Sequence, residues 1–145
     1  MQHKRILMLK GLFYAMVAIF VLIVAFFFML NSDNIKREFF PVLAVLAILF
    51  LIYGAVLIFF SIKFKVERKL KRYLILTGAS AIGFPVFVIL HNLFYALGVL
   101  AGNIVVLKSI MEFLHAAFFL IGLIGCPIGF LIGVIGSIVI FKKNN

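Results

Sequence analysis

Four long apolar blocks, over roughly 11–30, 39–62, 73–101 and 112–141, alternate with short polar or basic stretches. A bilayer core of about 30 Å needs about 20 helical residues, so each block is long enough to cross it. The pattern predicts an all-α membrane protein, with four transmembrane helices in an up-down bundle forming a single domain over 1–145. Asn31-Ser32-Asp33-Asn34 is a turn and capping run that should end the first helix. Pro41 suits the first turn of the second helix, where its missing N–H costs nothing. Pro85 removes the bond to the Ala81 carbonyl and predicts a kink in the third.

The apolar blocks are unequal. The first two read as plain hydrocarbon. The third contains Thr77, Ser80, Pro85, His91, Asn92 and Tyr95, and the fourth Glu112, His115, Cys126, Pro127 and a series of glycines. Polar groups are expensive in lipid, so the second hairpin is where any specialised chemistry should sit.

The connection between the third and fourth helices has two readings. Gly102-Asn103 forms a tight turn with Asn103 capping a helix from Ile104, or 104–111 lies flat at the surface as an amphipathic piece. Lys108 and Glu112 are spaced i,i+4, which supports helix in either case.

At 67% apolar and 12% charged, the chain has no room for a soluble domain beside four crossings. The net charge of +10 is unevenly placed. Lys4, Arg5, Lys10, the middle-loop set Lys63, Lys65, Arg68, Lys69, Lys71 and Arg72, and Lys142 and Lys143 fall on one side; Lys36, Arg37 and Lys108 fall on the other. Eleven against three predicts cytoplasmic N and C termini in a multi-pass protein of the cell membrane. The middle-loop cluster can also attract anionic lipid headgroups. Topology accounts for this charge, and no nucleic-acid partner is expected. The first block is too long for a signal-peptide core and lacks a cleavage site after it. Cys126 is the one cysteine, so no intrachain disulfide forms.

Arg5–Gly11 and Arg72–Gly78 match at Arg, two Leu and Gly, a faint echo that would suit duplicated hairpins. Gly122, Gly125, Gly129, Gly133 and Gly136 fall within about 80° of helix circumference. Such a stripe lets backbones approach closely, either within the chain or against a second copy or another membrane protein. On this reading Gly129→Leu or Gly133→Leu should disturb packing more than Gly54→Leu.

His115 shares the glycine face, and His91 shares a face of the third helix with Tyr95. With a turn at Gly102-Asn103 the two imidazoles stand at nearly equal depth. The candidate polar site is therefore His91, Asn92, Tyr95, Glu112 and His115. Three functions stay open. The first is a structural or accessory protein acting through helix contacts, alone, as a homodimer or in a larger complex. The second is a small carrier or channel with a polar path between helices three and four. The third is a redox protein holding haem or metal on His91 and His115. On the first reading the imidazoles are neutral and stitch helices together, and neither cofactor nor metal is expected. No phosphate loop, Ser/His/Asp set or CxxC is present, so no enzymatic role is expected.

The segment LTGASAIGFPVFVILHNLFYALG (76–98), with CPIGFLIGVIGSIVI (126–140), resembles a family of small prokaryotic four-helix membrane proteins without assigned function. The resemblance covers mainly the second hairpin and implies no activity, substrate or cofactor. Small multidrug exporters are similar in length, but they carry a glutamate in the first helix, and this first helix has no acid.

Overall fold

The computed structural model describes residues 2–29, 33–64, 66–102 and 104–143. They form α1 (Gln2–Met29), α2 (Asp33–Lys63), α3 (Arg68–Leu100) and α4 (Val105–Leu120). A π turn (Ile121–Gly125) then leads without a break into α5 (Cys126–Lys143). Four helical stretches are long and apolar enough to span a membrane, the last being Val105–Lys143 as one 39-residue rod.

The helices outrun the apolar blocks because their polar ends also favour helix once nucleated. α1 includes Lys4, Arg5 and Lys10. The Lys10 ammonium lies 5.4 Å from the Phe141 ring centre and Arg5 sits at the same distance over Phe64, so both cations rest on aromatic faces. α2 begins at Asp33, which places Pro41 inside the helix rather than in its first turn. The Asp33-Asn34 end of the expected turn is thus already helix; Asn31 and Ser32 lie outside the described residues.

The middle of the chain organises the rest. α3 packs along both α2 and α5, and α1 lies against α2. At the basic end the core is closed. Leu9, Phe13, Leu57, Leu70, Leu74 and Phe141 are all buried there. Above them Phe20, Phe50 and Phe130 form an aromatic cluster, with ring centres 4.4–6.0 Å apart.

The closest helix crossing is one the hydrophobic pattern hides. A Cβ built on Gly54 would stand 2.8 Å from the Gly78 carbonyl, and one on Gly78 would stand 2.7 Å from the Gly54 carbonyl. The two glycines therefore let α2 and α3 touch backbone to backbone. This corrects the expectation that Gly54 is a permissive position. It also separates the two halves of the sequence echo: Gly78 is buried at a crossing, while Gly11, its counterpart, has nothing within 4 Å of an added Cβ.

Beyond the aromatic cluster the helices part. α4 pairs with the second half of α3 and has no buried residue of its own. A cleft of about 500 Å³ separates this hairpin from the first half of α2.

Candidate functional site

Glycines and small side chains alternate across the seam between α3 and the rod formed by α4, the π turn and α5. From the basic end, Tyr73 covers Gly136, Thr77 covers Gly133 and Ser80 covers Gly129. Further along, the glycine alternates between the two sides. Cys126 Sγ stands 3.0 Å from where a Cβ on Gly83 would be, then Phe87 covers Gly122, and near the tip Met111 meets Gly98. Thr77 donates to the Tyr73 carbonyl at 2.7 Å, which satisfies its buried hydroxyl within α3.

Four of the five predicted stripe glycines therefore face α3. Gly125 does not. It is exposed and meets only Ile121 of its own turn. The π turn explains the correction: an i→i+5 turn is wider than an α turn, so Gly122 and Cys126 share the inner face and Gly125 swings off it. Pro127 suits this local widening, since it has no N–H to close an α bond onto Leu123.

Gly102, with φ of +55°, reverses the chain between α3 and α4. That positive φ is the conformation glycine adopts without strain. Helix resumes at Val105 with Ile104 as its preceding cap residue, so 104–111 belongs to a membrane-length helix rather than to a separate surface piece. Asn103, the expected cap, lies outside the described residues.

The tight reversal brings His91 and His115 to the same height. Their rings stack 3.9 Å apart at an interplanar angle of 22°. His91 Nδ1 lies 3.1 Å from the His115 carbonyl, and His115 Nδ1 lies 3.1 Å from the His91 carbonyl. Only an Nδ1–H can donate to a carbonyl, so these contacts place a proton on Nδ1 of both rings. The pair is a two-way clamp, in which each side chain holds the backbone of the opposite helix.

The other predicted polar residues sit around this clamp without joining it. The Tyr95 ring is centred 5.3 Å from that of His115. Asn92 turns back along its own helix and donates to the Val88 carbonyl at 2.9 Å. Glu112 faces Lys108 at 4.0 Å, with both side chains more than half exposed, a geometry that contributes little stability. Tyr95, Lys108, Glu112 and His115 line a pocket of about 380 Å³ on the outer side of the hairpin.

This geometry restricts the chemistry. Axial imidazoles point their nitrogens at one iron from opposite faces of a porphyrin, whereas these rings stack face to face with no room for a plane between them. Among the described residues no three His, Cys, Asp or Glu side chains come together as a metal-ligand set. The arrangement is suited to holding two helices in register.

Counting along α3 gives the height of the clamp. His91 is 18 residues beyond Tyr73, which follows the basic cluster directly. At about 1.5 Å per residue that is about 27 Å, close to the far edge of a 30-Å hydrocarbon core. About 15 Å of hairpin continues past it.

No protein-family model matches the chain, and no curated protein or solved structure is detectably similar to it.

Proposed function

We propose that this chain is an accessory or structural protein of the cell membrane that acts by helix–helix contact, through the outer half of its second hairpin. One observation carries the reading. Past the histidine clamp, where the hydrocarbon core should be ending, the hairpin still presents large apolar side chains. Leu100 is 80% exposed, Val105 75% and Phe113 72%. Contiguous apolar surface of this kind marks a contact site, since water cannot cover it without cost. Leaning of the long helices brings part of it back into lipid. A partner helix, from a second copy or another membrane protein, covers the remainder.

In this reading the four helices cross as an up-down bundle with both termini in the cytoplasm, as the eleven-to-three cation bias favours. Of the basic residues named for anionic headgroups, Arg68, Lys69 and Arg72 are exposed at one end of the rods, where headgroups lie. Lys63 has its ammonium 5.4 Å from the Phe59 ring centre. Lys65 lies outside the described residues. A reporter fused to the C terminus tests both parts of this proposal. The fusion should be active only when the tail is cytoplasmic, and in lipid nanodiscs it should show a mass above that of one copy. A tail on the outer face, or a mass of one copy in native lipid, would reject the corresponding part.

A further inference from the structure

We infer that the outer pocket between α3 and α4 binds a zwitterion carrying a phosphate and an ammonium a few bonds apart, with Lys108 holding the phosphate and Glu112 the ammonium. Its occupancy is independent of how the hairpin tip is covered. Gly98 and Gly102 line the pocket without filling it, because neither has a side chain. Phe94, Tyr95 and Val99 give it an apolar side that suits the short carbon linker of such a ligand.

Of the described residues that line it, Lys108 and Glu112 are the two that carry a full charge, one of each sign. Lys108 Nζ stands 4.0 Å from Glu112 Oε1, beyond the roughly 3.2 Å of a direct hydrogen bond, so neither charge satisfies the other. Both side chains are more than half exposed, and separating such a pair costs little. A ligand with one sign of charge would engage one of these groups and strand the other. A zwitterion engages both, through charge-assisted hydrogen bonds that the present pair does not make. His115 also lines the pocket, and its Nδ1–H is held by the His91 carbonyl, which fixes that wall.

Position along α3 sets the supply. Tyr95 is 22 residues beyond Tyr73, or about 33 Å along the helix. That is just past a hydrocarbon core of about 30 Å, at the height of the headgroups in the leaflet opposite the basic end. Phosphoethanolamine has the required pair of charges, either on a phospholipid in that leaflet or free in water.

Titration of the whole protein in detergent micelles with short-chain phosphatidylethanolamine, followed through the His115 side-chain resonances, tests the pocket. Wild type should saturate at one ligand per chain. It should bind short-chain phosphatidylglycerol, which has the phosphate but no ammonium, about tenfold more weakly. Glu112→Gln should erase that preference, because the ammonium loses its carboxylate while the phosphate keeps Lys108. Lys108→Gln should weaken both ligands about tenfold. Lys69→Gln, exposed at the basic end, should bind as wild type does. Free phosphoethanolamine separates the two sources: affinity equal to that of the lipid assigns the pocket to a soluble zwitterion, and much weaker binding assigns it to the lipid headgroup. Equal affinity of wild type for the two lipids would overturn the inference, as would a preference that survives Glu112→Gln or an absence of binding.

Discussion

Gly133→Leu and Gly78→Leu should each lower the thermal stability of the detergent-solubilised protein, while Gly11→Leu and Gly125→Leu leave it nearly unchanged. A Cβ on Gly133 would stand 2.8 Å from the Thr77 nitrogen and 3.0 Å from the Tyr73 carbonyl, both of them helix backbone. One on Gly78 would meet the Gly54 carbonyl. Backbone cannot swing aside as a side chain does, so relief requires the helices to separate. Overpacking of this kind costs about 1–3 kcal/mol or more. Gly136 meets the Tyr73 ring down to its Cγ, which turning the ring in place does not move, so its substitution should be costly too. Gly54→Leu should be as damaging as Gly78→Leu, and the pair should be non-additive because both act on one crossing. Equal melting temperatures across the set, read by circular dichroism, would mean that these crossings do not hold the fold.

His91→Leu and His115→Leu should each cost about 1–2 kcal/mol, with Gln at either position milder. Each imidazole donates to a carbonyl of the opposite backbone, not to the other ring. Each bond therefore survives mutation of its partner, and the two losses should nearly add. What couples the positions is the 3.9-Å stack, for which aromatic pairs suggest about 0.5–1.5 kcal/mol. Gln keeps an N–H donor that can reach a carbonyl, and so preserves the bond while losing the stack. A double-mutant cycle in denaturant or heat measures the coupling. If Gln and Leu were equally harmful, a role that only imidazole can fill would replace the clamp.

The clamp was nearly legible in the sequence. His91 and His115 lie 11 and 12 residues from Gly102–Asn103, and that count alone predicts their meeting once the turn is placed there. What the sequence left open was the turn, and Gly102 at positive φ decides it. The seam glycines were legible for a related reason: four of them recur at helical spacing on one element. Gly125 was misread because periodicity assumes a uniform α-helix, and the π turn ahead of Pro127 breaks that assumption. Gly54 was illegible. It is a lone small residue in a hydrocarbon run, and its importance comes from Gly78 on another helix. The divergence of the two hairpins was equally hidden, since composition gives the length of α2 and α3 but not the angle at which they cross.

Site-specific photo-crosslinking in native membranes tests the contact role most directly. A photoreactive residue at Val106 or Phe113, on the exposed outer hairpin, should yield a discrete protein adduct, either to a second copy or to one other membrane protein. The same probe at Ile135 or Val139, exposed on α5, should yield only lipid adducts. Lipid adducts alone at all four positions would contradict the proposal that the outer hairpin is a helix-docking surface.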